Sequence, residues 1–193
     1  MNQFAGTFSG AEVAIQTTDH TQGVPDDEVE KGAMRVKRSG GKSQILIELK
    51  GANARTAVLL EQTAEIYYPK LNEIEIYDIR SYKNSVQALS SLGFGMSGKE
   101  IAANYIIQTL RHETLASQAV TYVELIPHSP DVLKLVKSIE LWISDTTQCP
   151  VRQILHQPGG DFRSTEFSAL QLNPKFAPNA FDLPKNAKRV RIN

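Results

Sequence analysis

Cysteine is all but missing from this chain. The single Cys149, set in Thr-Thr-Gln-Cys-Pro, excludes a disulfide framework within one chain and any cysteine cluster for a metal. Neither sign of charge is in excess. Lys plus Arg and Asp plus Glu each total 21 among 193 residues, so the chain lacks both the basic footprint of a nucleic-acid binder and a polybasic handle for anionic lipid. No run approaches the roughly 18 apolar residues of a membrane-spanning helix. Met1-Asn2-Gln3 has neither the charged nor the apolar region of a secretory signal, which leaves a cytoplasmic protein or one whose export segment has been cut away. No repeat, low-complexity tract or linker divides residues 1–193, and that length suits a single domain that buries its core without staples.

Enzyme motifs are absent or out of context. Gly93-Phe94-Gly95-Met96-Ser97-Gly98 matches the dinucleotide pattern GxGxxG, but that turn requires a preceding parallel strand, and a helical Gln-Ala-Leu-Ser-Ser-Leu stretch stands there instead. Gly41-Lys42-Ser43 resembles the end of a phosphate-binding loop, yet Val36 occupies the position that needs glycine. His20, His112, His128 and His156 are scattered, with no pair at i, i+4 to hold zinc. No GxSxG nucleophile elbow is present. These absences imply a protein with no catalytic set, no metal and no cofactor.

What is present is period two, the pattern of half-buried strands. Val13 and Ile15 form one face of a first strand, and residues 18–28 read as a loop. Met34 and Val36 share a face of the second strand, a Ser-Gly-Gly-Lys turn follows, and Ile45, Ile47 and Leu49 mark the third. Further strands are expected near residues 56–61, 64–68, 73–77, 105–113, 119–126, 136–144, 151–157 and 161–173. The total of about eleven is too many for a flat sheet without strong curling. Helices are the minority: one short helix over residues 84–92, a second starting after the capping box Ser97-Gly98-Lys99-Glu100, and at most a turn at Ser129-Pro130-Asp131. By alternation Arg38 shares the face of Met34 and Val36 and points inward. The alternative is that the strand ends at Lys37 and leaves Arg38 solvated in the turn.

Four segments in register, Val36-Lys37-Arg38 with its hairpin, residues 64–72, residues 139–145 with Pro150, and Phe181-Asp182-Leu183-Pro184, together resemble the outer-membrane lipoprotein carrier superfamily of the LolA and LolB type. The resemblance implies a mainly β (α+β) fold, a strongly curved antiparallel half-barrel of about eleven strands with short helices as a lid over an apolar cavity. It implies a periplasmic carrier that shelters acyl chains of lipoproteins or other lipids in transit toward the outer membrane, with an inner-membrane exporter and an outer-membrane acceptor as partners. A non-catalytic sensor of the same fold, binding a membrane-protein domain or stray lipid, is the other reading. The family's inward arginine, which helps hold the lid shut, matches Arg38; in that position its guanidinium is expected to donate to backbone carbonyls at lid-helix ends, whose unpaired acceptors and negative dipole suit it. The chain departs from the family at Ser39, where proline is usual, and at Ile45, where an aromatic is usual. Much of the family's first helix and the export signal are expected to have been removed ahead of Phe4.

The expected lipid-facing set is Met34, Val36, Arg38, Ile45, Ile47, Ile66, Tyr68, Ile74 and Ile76 on the sheet, with Leu92, Phe94 and Met96 on the lid. Residues 89–101 combine those apolar side chains with three glycines, a composition that suits either a movable lid or an ordinary connection.

Overall fold

The structure, a computed structural model, describes residues 2–39, 42–80, 89 and 91–192. After a short helix α1 (Asn2–Thr7) come six strands: β1 (Gly10–His20), β2 (Glu28–Ser39), β3 (Lys42–Lys50), β4 (Arg55–Leu59), β5 (Thr63–Tyr68) and β6 (Glu73–Asp78). Helix α2 (Gly98–Asn104) leads straight into β7 (Tyr105–Leu115) and β8 (Gln118–Pro127), followed by the one-turn helix α3 (Pro130–Leu133). The chain then runs through β9 (Ser138–Ser144), β10 (Pro150–His156), β11 (Phe162–Leu172) and β12 (Lys188–Ile192). All twelve strands belong to one sheet, in the order β12-β6-β5-β4-β3-β2-β1-β11-β10-β9-β8-β7. The two ends of that order do not pair, so the sheet is an open half-barrel.

Each strand expected from the alternation is present within a few residues of its expected bounds. Two features differ. The sheet has a twelfth strand, and β12 pairs parallel with β6, so the sheet is not wholly antiparallel. Its sequence Lys-Arg-Val-Arg-Ile carries little apolar signal; ion pairs of Lys188 with Glu73 (2.7 Å) and Arg189 with Glu65 (3.0 Å) tie it to the sheet. The helix expected over residues 84–92 lies largely outside the described residues. Both expected caps are present: Ser97 and Glu100 form a reciprocal capping box, and Ser129 caps α3.

Residues directly opposite each other in a ladder share a face of the sheet. Ala11, Val13 and Ile15 stand opposite Val36, Met34 and Gly32, which in turn face Ile45, Ile47 and Leu49. This is the inner face, because residues 91–101 pack against it: Phe94 joins Met34, Val36 and Ile45 in one cluster, while Leu92, Met96 and Ile101 join Val123, Leu125, Ile139 and Leu141 in the next. The outer face of β3 to β6 is covered separately by Phe181, Leu183 and Ala187, which pack on Leu46, Val58 and Ile74.

Gly32 and Gly95 are among the positions where the inner side requires glycine. At Gly32 a Cβ would lie 1.8 Å from the Glu48 carbonyl oxygen, so only glycine lets β3 approach there. Gly95 has φ +69°, and a Cβ would fall 2.1 Å from Cδ1 of Phe8. Gly95→Ala should combine left-handed strain with displacement of the Phe8 ring and cost about 2 kcal/mol. A fall in Tm of about 4–8 °C is expected for a chain of this size, and an unchanged melting curve would show that the lid turn does not press on Phe8.

Candidate functional site

The inner face changes chemistry along its length. At the Arg38 end it is apolar and closed. β2 carries Glu30, Gly32, Met34, Val36 and Arg38 on this face; Met34 and Val36 are buried beneath Phe94, whose ring meets Phe167 edge-on at 5.3 Å. Ile45 is buried in the same cluster and Ile47 packs against it half-buried.

Arg38 does point inward. Its Nη1 donates to the Gly95 carbonyl and its Nη2 to Oε1 of Glu100 at 2.5 Å. The other carboxylate oxygen of Glu100 accepts the Ser97 amide at 2.7 Å, and Ser97 Oγ accepts the Glu100 amide at 3.2 Å. One carboxylate thus closes the cap of α2 and receives the guanidinium, so Arg38 grips both the lid turn and the start of the helix behind it. One acceptor is a backbone carbonyl in the turn before α2, as expected; the other, not expected, is a first-turn side chain, where the helix dipole favours an anion. Burial pushes the Glu100 carboxyl up, but the Ser97 amide, the Arg38 guanidinium and the Ser97 hydroxyl outweigh it and hold the group below its ordinary value of 4.5.

Further along, Ile66 pairs with Ala57 of β4 and so lies on the inner face, with Tyr68 two residues on. Ile74 and Ile76 do not. The turn between β5 and β6 sets Tyr68 opposite Glu73 and Ile66 opposite Glu75, which leaves Ile74 opposite Tyr67 on the outer face, fully buried under the C-terminal cover. An even number of turn residues reverses the parity of the face, and the apolar pattern of β6 is met by that outer cover. The pair therefore leaves the lipid-facing set.

At its other end the inner face is polar and open. A cavity of about 720 Å3 lies there, and Tyr68 is in its wall. Arg55 Nη1 and Nη2 donate to both carboxylate oxygens of Glu30 at 2.7 and 2.6 Å, and Arg163 makes a two-point pair with Asp19 at 2.6 and 3.1 Å. Glu30 is only 7% exposed. Its hydrogen bond, ahead of the opposing effect of burial, raises the pKa of Arg55. Burial, then the Glu75 carboxylate, raise that of Tyr68.

The fold resembles that of solved structures. An uncharacterized conserved protein from Thermus thermophilus superimposes with a TM-score of 0.61 at 12% identity, over 99% of this chain and 96% of that one. An outer membrane lipoprotein-sorting protein domain from Vibrio parahaemolyticus does so with a TM-score of 0.50 at 10% identity, over 94% of each chain. The chain has the LolA-type lipoprotein-sorting fold. A chain of the Pseudomonas aeruginosa MucA/MucB complex also carries it, with a TM-score of 0.54 at 12% identity over 99% of this chain and 62% of that one. No family model matches the sequence, and no curated protein matches it.

Within this LolA-type fold the lid residues Leu92, Phe94 and Met96 are buried, as are the sheet residues Met34, Val36 and Ile45. Sequence reasoning did not find the ion pairs of the open end. Asp19 and Arg163 are brought together by the β1–β11 ladder, 144 positions apart, and no local spacing signals such a pair. Glu30 and Arg55 are the exception in principle, since Glu30 continues the inward row of Gly32, Met34 and Val36 and is a charge on an apolar register.

Proposed function

We propose that this chain is a non-catalytic carrier that shelters acyl chains, of lipoproteins or of other lipids, on the inner face of its half-barrel in the periplasm. Cargo would pass from an inner-membrane exporter to an outer-membrane acceptor. The observation that carries this reading is the Arg38 clamp on Gly95 and Glu100, which holds an apolar segment over an apolar sheet by polar bonds that can break without unfolding either part. Displacement of Leu92, Phe94 and Met96 uncovers a surface to which acyl chains can bind in their place. At about 0.8 kcal/mol per methylene, a largely buried sixteen-carbon chain supplies roughly 10 kcal/mol, enough to offset opening of the lid.

A second reading, an interaction module of the same fold, has its own observation. The β12 edge of the sheet carries Lys188, Arg189 and Arg191, charges that blunt strand addition, whereas the β7 edge exposes Ile106, Ile107 and Leu110. Such an edge can accept a strand from a partner. Lipid extraction and mass spectrometry of freshly purified protein, followed by titration with a fluorescent fatty acid, separates the two. Bound lipid or a saturable signal is the expected result. No lipid and no affinity for the probe would overturn carriage and leave the β7 edge as the functional surface.

A further inference from the structure

The inner face turns from apolar to ionic across one row of residues. On β1 the inward positions run Ile15, Thr17, Asp19, and on β11 they run Phe167, Thr165, Arg163. Thr17 Oγ1, at the step between the two regimes, is buried and has no hydrogen-bond partner among the described residues. A trough that is apolar at one end and ion-lined at the other has the polarity of an amphiphile. The walls of the 720 Å3 cavity carry four carboxylates, Asp19, Glu28, Glu30 and Asp161, against three permanent cations, Arg55, Lys70 and Arg163.

We infer that this cavity is a headgroup subsite for a zwitterionic phospholipid, an ammonium joined to a phosphodiester, whose chains lie along the apolar part of the inner face; this rests on the carrier reading above. The unused donors and acceptors match both charges. Arg163 spends Nε and Nη2 on Asp19 and keeps Nη1, and Lys70 forms no ion pair among the described residues, so both can donate to a phosphodiester. Glu28 receives Asn53 Nδ2 on one oxygen and Asp161 receives the Gln22 amide on one oxygen, so each keeps an oxygen for an ammonium. A purely anionic headgroup would meet the surplus carboxylate without supplying its counter-ion.

The test is calorimetric titration of the full chain with three dihexanoyl lipids that share their chains, phosphatidylethanolamine, phosphatidylglycerol and diacylglycerol, and with free glycerophosphoethanolamine. The expected result is a Kd for phosphatidylethanolamine at least tenfold below those of the other two lipids. That preference should be lost in Lys70→Gln and in Glu28→Gln, with diacylglycerol affinity unchanged in both. Equal affinity for all three lipids would overturn the subsite and leave carriage standing. Binding of none would remove carriage and the subsite together. Free glycerophosphoethanolamine binding as tightly as the lipid would show a site for a soluble zwitterion and overturn the lipid assignment.

Discussion

Arg38→Leu should leave the sheet folded and release a bound fluorescent fatty acid roughly tenfold faster than the wild type. The strand is specified by the alternation of Met34 and Val36 and by its ladders to β1 and β3, none of which involves the guanidinium. What leucine removes is the bond to the Gly95 carbonyl and the ion pair with Glu100. The Glu100 side chain is 40% exposed, so solvent screening keeps the pair near the weak end, and the two contacts together are worth about 1.5 kcal/mol. A difference of about 1.4 kcal/mol is tenfold in an equilibrium. Arg38→Lys should restore only part of the effect, because an ammonium cannot reach a carbonyl and a carboxylate from one planar fork. The same clamp predicts an acid response. Glu100 has its folded pKa below its ordinary 4.5, so its contribution is fully present above 4.5 and is lost as pH falls through the depressed value. Release should therefore accelerate below about pH 4.5 in the wild type and much less so in Arg38→Leu. Equal release rates for all three proteins at neutral pH would reduce Arg38 to a surface contact.

The strands were legible because alternation is local: Val13, Ile15, Met34, Val36, Ile45 and Ile47 each report their own face within a few residues, and the ladders keep them together. The same row left Arg38 between an inward position and a solvated turn; the family resemblance favoured the inward one, and the contacts with Gly95 and Glu100 place it there. The face of β6 did not follow, since it depends on the length of the turn after Tyr68 and on a cover supplied by Phe181 and Leu183 more than a hundred residues later. The strand β12 was illegible for a related reason, its parallel pairing with a distant edge being marked in sequence only by three basic residues and two apolar ones. At the functional face the apolar half could be read and the ionic half could not. Charges on half-buried strands look like solvated faces until the fold sets Arg55 against Glu30 and Arg163 against Asp19.

Arg55→Met should be the most destabilising change at the open end, and its partner substitution tells why the pair is there. Glu30 is 7% exposed and both its oxygens are held by Arg55, so methionine strands a buried carboxylate. Breaking one side of a buried pair costs about 3–5 kcal/mol; with the Arg55 side chain 27% exposed at the mouth of a cavity, about 3 kcal/mol is the expected loss, a fall in Tm of about 6–12 °C. The double variant Glu30→Leu with Arg55→Met removes both charges and fills similar volume, and should regain most of that stability, because two charges brought out of water recover little more than their desolvation costs. The double variant should melt near the wild type and keep its preference for dihexanoyl phosphatidylethanolamine over dihexanoyl diacylglycerol, because both Glu30 oxygens are spent on Arg55 and the headgroup contacts fall to Arg163, Lys70, Glu28 and Asp161. If it melts as low as Arg55→Met alone, the pair itself is needed to tie β2 to β4 across the intervening β3.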